Sequence, residues 1–244
     1  MIEIRNLKKS FGDNHVLQGV NLKIIKGETI VIIGKSGCGK SVLLKHIIGL
    51  LQPDEGEIII EGNNIVKMSS KEIYKLRNKF GFLFQGSALF DSMTVEENVG
   101  LALRENTKLS KNEIKKIVNE KLELVGLPGT NNVMPSDLSG GMKKRVALAR
   151  ALSTNPEYIL YDEPTTGLDP VMSDAIDELV VELTDKLKVT SVVVTHDIFS
   201  VYDVADKVAM MEEGKIYFHS TPKELVETQD PVIRNFLNRT NKRI

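Results

Sequence analysis

The segment Gly34-Lys35-Ser36-Gly37-Cys38-Gly39-Lys40-Ser41 has the residue types that hold a polyphosphate. Its glycines let backbone N–H groups curl around phosphate oxygens, Lys40 supplies charge to the β- and γ-phosphates, and Ser41 offers a hard oxygen to Mg²⁺. Val42 then enters a helix whose N-terminus adds positive potential. About a hundred residues further on, Leu138-Ser139-Gly140-Gly141-Met142 opens another helix with a hydroxyl, backbone amides and a dipole aligned towards an anion, although it also suits an ordinary N-cap. One nucleotide rarely needs both segments from one chain. The economical arrangement is two copies face to face, with ATP held by the first segment of one copy and covered by the second segment of the other.

Tyr158-Ile159-Leu160-Tyr161-Asp162-Glu163 is an apolar strand ending in two carboxylates, which puts charge at the edge of a sheet. Asp162 suits the Mg²⁺ shell. Glu163, facing the other way, can polarise an attacking water as general base. Cys38 invites a nucleophilic reading, but in such a loop its backbone is what matters.

These residues require strands and helices to place them. Short β-rich runs fall at Ile2–Leu7, Val20–Ile25, Thr29–Ile33 and Glu57–Ile60, separated by turn signals, and predict an antiparallel β-layer. Thr29–Ile33 is apolar throughout and feeds the glycine-rich loop, after which Ser41–Leu51 has helical spacing. From about Ser69 to Leu127 helical patterns dominate, broken at Gly81–Gln85. Strand and helix patterns then alternate through Gly140–Thr154, Tyr158–Asp162, Pro170–Leu187, Thr190–Thr195, Ile198–Ala205 and Lys207–Met211, which predicts a mostly parallel sheet covered by helices: an α/β fold. A hairpin at Glu213-Gly214-Lys215, a short helix over Pro222–Val226 and a tail from about Asp230 complete the chain.

The 244 residues suffice for a sizeable core, and 41% hydrophobic with 27% charged residues is ordinary for a soluble protein. A net charge of −1 argues against generic nucleic-acid binding. No apolar run approaches the ~18–20 residues that cross a bilayer, the N-terminus lacks signal-peptide features, and the single cysteine fits a reducing compartment. A cytoplasmic protein is expected.

At this point the chain resembles the ATP-binding cassette (ABC) family over nearly its full length, with the family's motifs in order. Gly34–Ser41 is similar to the Walker A loop, Gln85 to the Q-loop glutamine, Leu138–Met142 to the signature motif, Tyr158–Glu163 to Walker B, Gly167-Leu168-Asp169 to the D-loop and His196 to the switch histidine. The resemblance implies a P-loop NTPase fold in one nucleotide-binding domain over 1–244. Within it, 1–84 and 156–229 form a core with the β-layer, 85–155 a helical subdomain including the signature helix, and 230–244 a tail. It also implies Mg²⁺ ligation by Ser41, Gln85 and Asp162, catalysis by Glu163, His196, Gln85 and Lys40, and adenine stacking on Phe11. Phe11 read alone also fits a core residue at a strand end, a less favoured alternative to adenine stacking. Met142 stands where the family often has glutamine and cannot supply that amide hydrogen bond.

Three longer segments, Leu138–Ala151, Phe84–Phe90 and Asp230–Leu237, resemble the ATPases of Mla/Mce-type lipid transporters. That resemblance implies a homodimer driving a membrane permease, with an Mce-type lipid-binding protein in the complex, on the cytoplasmic face of the inner (plasma) membrane, and no nucleic acid. An importer ATPase for another cargo and a soluble scaffold ATPase of the iron–sulfur assembly type are the alternatives. Leu89 and Phe90 can line a groove for the permease or belong to the subdomain core. Lys143, Lys144 and Arg145 read as a solvated face. In the tail, Val232, Ile233, Phe236 and Leu237 form an apolar stripe followed by Arg239, Lys242 and Arg243; it can dock on a second subunit or pack on its own domain.

Overall fold

A computed structural model describes the backbone from Met1 to Asn241 and the side chains to Asn238. The elements in chain order are β1 (Ile2–Phe11), β2 (Asn14–Ile24), β3 (Thr29–Gly34), α1 (Lys40–Ile47), β4 (Glu55–Ile60), β5 (Asn63–Asn64), α2 (Ser70–Arg77), β6 (Phe80–Leu83), α3 (Val95–Asn106), α4 (Lys111–Leu124), α5 (Gly140–Leu152) and β7 (Tyr158–Asp162). Then follow α6 (Pro170–Leu187), β8 (Thr190–Val194), α7 (Ile198–Val204), β9 (Lys207–Glu212), β10 (Lys215–Ser220), α8 (Pro222–Glu227) and α9 (Pro231–Asn241). They fall into two compact units: Met1–Arg77 with the chain from Thr190 onwards, and Asn78–Val189.

The first unit contains an antiparallel sheet in the order β2-β1-β4-β5. Its core face follows from period-two alternation: Ile2 and Ile4 lie opposite Ile24 and Leu22 on one side and Ile60 and Ile58 on the other, and all six are buried. The same unit has strands in the order β10-β9-β3-β8, with β3 parallel to both β8 and β9. Both faces of β3 are covered, which is why Thr29–Gly34 reads as an unbroken apolar run and is buried at every position. Helix α1 stops at Ile47, short of the expected Leu51, because Gly49 turns the chain at φ +66°. The Arg77 guanidinium takes over the freed helix-end carbonyls, donating to Ile48 O at 3.1 Å and Gly49 O at 2.7 Å.

The second unit has β6 parallel to β7, and helices α3, α4, α5 and α6. Helices α3 and α4 each begin with a reciprocal capping box, Thr94 with Glu97 and Ser110 with Glu113. The helical pattern expected after Gln85 is absent through Thr94. Ser87 and Ala88 adopt left-handed backbone (φ +62° and +49°), which no helix accommodates, and helix resumes only after the Thr94 cap.

Three open readings resolve here. Phe11 is 48% exposed, which excludes the core role, and the Lys9 ammonium stands 5.6 Å from its ring centroid. Phe90 is 49% exposed and so is no part of the subdomain core, whereas Leu89 is partly covered. The tail stripe is covered within its own chain: Ile233, Phe236 and Leu237 are buried in α9 and Val232 is partly covered, and the helix start is capped by Asp230 accepting from Val232 N and Ile233 N. Arg239 lies beyond the described side chains, and Lys242 and Arg243 lie outside the described residues. One expectation fails. Lys143 and Arg145 are partly covered and Lys144 is buried, so the three cations are not a solvated face.

Candidate active site

In the first unit the glycine-rich loop links the end of β3 to the start of α1. A Cβ on Gly34 (φ +153°) would lie 2.5 Å from Met211 O, and one on Gly39 (φ +102°) would lie 2.9 Å from Leu17 Cδ2 and 3.1 Å from Val16 O. Only glycine fits these two turns, and the result is an exposed stretch over Lys35, Ser36 and Gly37 ahead of the helix. Lys40 is buried, with Nζ donating to Gly34 O (2.8 Å) and Lys35 O (3.2 Å), so its charge sits within the curl of the loop. Lys35 is tied to Glu212 at the end of β9. Ser41 and Val42 lie in the first turn of α1 and are partly accessible.

Burial pushes the Cys38 thiol pKa up, opposed by the charge of Lys40, so Cys38 is a neutral thiol at physiological pH and not an activated nucleophile. His196 follows β8, which runs in register beside β3 with Val194 opposite Ile32; Thr195 N donates to Ile32 O at 3.2 Å. The structure thus brings His196, exposed, to the sheet edge from which the glycine-rich loop departs.

In the second unit Tyr161 pairs with Leu83, so Asp162 and Glu163 leave β7 at the same edge where the chain leaves β6 towards Gln85. Asp162 is buried; Glu163 is partly covered, with left-handed backbone at φ +51° and its Oε2 accepting from Thr166 Oγ1 at 3.0 Å. Gln85 is exposed. Leu138 is buried, while Ser139 and Gly140 are exposed at the start of α5; Ser139 Oγ accepts from Met142 N at 3.3 Å. The cap and the anion-binding readings are therefore compatible, since the Ser139 cap occupies the Met142 amide while Ser139 and Gly140 stay exposed at the helix start. Gly141 is buried and Met142 partly so. Asp169, exposed, caps α6 by accepting from Met172 N at 3.0 Å.

Residues missed from the sequence hold this unit's loops. The Lys144 ammonium donates to Gln85 O and, at 3.3 Å, to Glu163 O. Arg150 donates to Ser87 O (2.7 Å) and Ala88 O (2.6 Å), the two left-handed residues. Asn98, fully buried, binds Phe90, Met93 and Thr94. Lys144 was discoverable: Gly141, Leu148 and Leu152 form a buried stripe at helical spacing, and position 144 falls inside it.

Both halves fit a nucleotide: a backbone curl that any side chain would fill around a buried lysine, and an exposed helix start preceded by a serine. Residues 17–166 match the family model described as ABC transporter. The chain belongs to this family. It is 44% identical over 237 residues to the "Probable ribonucleotide transport ATP-binding protein mkl" of Mycobacterium leprae, covering 97% of this chain and 68% of that one. It is 42% identical over 237 residues to the "Intermembrane phospholipid transport system ATP-binding protein MlaF" of Haemophilus influenzae, covering 97% and 90%. Among solved structures, the dimeric ABC cassette MJ0796 in a post-hydrolysis state with ADP and Pi is 35% identical, with a TM-score of 0.83 over 91% of this chain and 99% of that one. The fold is accordingly that of an ABC ATPase, and its reaction is ATP hydrolysis. No helix among the described residues is long and apolar enough to cross a membrane.

Proposed function

We propose that this ABC ATPase acts as a homodimer closing around two ATP molecules and drives a separate membrane permease that moves phospholipid between membranes. The observation that carries the dimer is the pair of anion-suited helix starts on one chain: the loop into α1 and the exposed Ser139-Gly140 start of α5. The phospholipid cargo is supported by the near-complete match to MlaF, which spans 90% of that relative's length.

In this reading Lys40 and the amides of residues 34–42 hold the phosphates, and Phe11, exposed beside Lys9, offers its ring to adenine. Ser41, Gln85 and Asp162 supply the hard oxygen donors that suit Mg²⁺, which when bound neutralises phosphate charge. Glu163 takes the proton of the attacking water, and His196 donates a hydrogen bond to the γ-phosphate. Ser139, Gly140 and Gly141 cover the partner copy's ATP, with Leu138 and Met142 flanking them and Asp169 at the neighbouring helix start. Because Ser139 and both glycines are present, loss of the glutamine at Met142 leaves the sandwich intact. The chain lies on the cytoplasmic face, docked on the permease, in a complex that includes an Mce-type lipid-binding protein.

The test is Glu163→Gln together with purification of the intact complex from its native membrane. The variant keeps ATP affinity, hydrolyses ATP only at a slow residual rate and accumulates as an ATP-bound dimer by size exclusion; normal turnover by the variant refutes the role of Glu163. Co-purification of a polytopic subunit with bound phospholipid supports the cargo, and recovery of a permease carrying ribonucleotide or another solute overturns it.

A further inference from the structure

Lys144 carries a charge into the interior of the second unit, where only 5% of its surface remains exposed. Burial lowers its pKa, and the carboxylates of Glu163 and Asp162 push it back up. A buried ammonium is costly unless its protons are used, and Lys144 uses them on backbone: it donates to Gln85 O and to Glu163 O. Those two carbonyls belong to the loops that leave β6 and β7 at one sheet edge. Glu163 is the residue whose geometry most needs such support. Its φ of +51° is unfavourable for a side chain with a Cβ and persists only where neighbours over-determine it. Two donors fix the carbonyl that follows it, Lys144 Nζ at 3.3 Å and Thr166 N at 3.3 Å, and the Thr166 hydroxyl then holds Oε2 at 3.0 Å.

We propose that Lys144 is a positioning residue for ATP hydrolysis: by pinning the Gln85 and Glu163 carbonyls to one ammonium, it sets the aim of the Glu163 carboxylate and locks that aim to the Gln85 loop. The proposal rests on Glu163 being the general base. Lys144 lies on α5 two residues after Met142, so a shift of the signature helix start is passed directly to both carbonyls. Lysine suits the task because a single point donor reaches two oxygens from different loops.

The experiment measures kcat, KM and nucleotide affinity for Lys144→Met, Lys144→Gln and Lys144→Arg in the full chain, each also combined with Glu163→Gln. Lys144→Met, of similar length but without donors, lowers kcat by about tenfold or more with KM and nucleotide affinity within about twofold of wild type. Lys144→Arg, which donates to both carbonyls, restores kcat to within about threefold. In the Glu163→Gln background, whose slow residual hydrolysis is followed in single turnover with enzyme in excess, the Met substitution lowers the rate by less than about twofold, since no base remains to be aimed. If the Met variant does not fold, Lys144→Gln carries the same comparison. Unchanged kcat in the neutral variants, or a loss that persists in full in the Glu163→Gln background, overturns the proposal. Normal hydrolysis by Glu163→Gln alone would instead remove the reading beneath it.

Discussion

Asn98 sits entirely inside the second unit and organises the turn that leads into α3. Its Oδ1 accepts from Phe90 N at 2.8 Å, and its Nδ2 donates to Phe90 O (3.1 Å), Met93 O (3.0 Å) and Thr94 O (3.0 Å). Replacement by alanine removes all of these, but the partners do not lose equally. Thr94 O retains Asn98 N at 2.9 Å, and Phe90 O retains Met93 N at 3.1 Å. The losses that matter are Phe90 N and Met93 O. An orphaned buried polar group costs about 1–3 kcal/mol. Phe90 is half exposed and Met93 partly so, which places both at the low end, about 1 kcal/mol each. Adding the cavity left by the amide, Asn98→Ala is expected to destabilise by about 2–4 kcal/mol, or roughly 4–16 °C in melting temperature for a chain of this size.

Urea unfolding followed by circular dichroism measures it, with ATP hydrolysis read in parallel because the Gln85–Thr94 segment is loosened. Asn98→Asp sharpens the test. The carboxylate keeps the acceptor for Phe90 N but turns a charge towards three carbonyl oxygens, so its pKa in the folded protein rises. The folded form of the variant then binds a proton that the unfolded form does not, so its stability relative to wild type at the same pH improves as pH falls towards about 4. An alanine variant within about 0.5 kcal/mol of wild type, or an aspartate variant whose stability deficit against wild type does not shrink as pH falls, refutes this account of the turn.

Two further outcomes follow from the first unit. Gly39→Ala forces a Cβ into φ +102° and to within 2.9 Å of Leu17 Cδ2, a strain of about 1–2 kcal/mol or more, and should weaken ATP binding in a fluorescent-nucleotide titration by about tenfold; unchanged affinity would contradict the loop assignment. His46 is fully buried with Nδ1 against Val42 O at 2.7 Å, and burial lowers its pKa from 6.5. The unfolded chain therefore binds a proton that the folded chain does not, and stability falls as pH drops below 6.5 with a slope of up to about 1.4 kcal/mol per pH unit. His46→Gln should flatten that slope, leaving the part due to His219, whose pKa burial also lowers; an undiminished slope between pH 6.5 and 5 would remove His46 as its source.

Most elements were legible because backbone demand and side-chain pattern agree. Thr29–Gly34 is apolar because it is covered on both faces, and Asp169-Pro170 announces α6 by supplying an N-cap and then a fixed φ at N1. The first phosphate-suited segment was legible for the same reason, since Gly34 and Gly39 are demanded by positive φ and close backbone approach. What failed is the identity of buried polar residues. Asn98, Arg150 and Lys144 have side chains that count as surface residues in any composition or charge-run argument, yet Asn98 and Lys144 are buried and Arg150 is partly covered, because a loop with unsatisfied carbonyls packs against each one's helix. Their partners are backbone atoms, which carry no residue-type signature.

The consequence concerns what α5 does. Its first residues expose Ser139 and Gly140; one turn further Lys144 grips the carbonyls of Gln85 and Glu163; at its far end Arg150 grips Ser87 and Ala88. From Ser139 to Arg150 the helix rises about 16 Å, so a single rigid rod connects an anion-suited helix start to both loops that leave the parallel strands. Ser87 and Ala88 remain in left-handed backbone against their intrinsic preference, and the Arg150 bonds offset that strain only while α5 keeps its place. A rod with charged contacts at two levels cannot translate without moving or releasing those carbonyls. Under the proposed function, engagement of Ser139 and Gly140 by the partner copy's ATP would therefore be felt at the backbone of Gln85 and of Glu163, with α5 as the link between them.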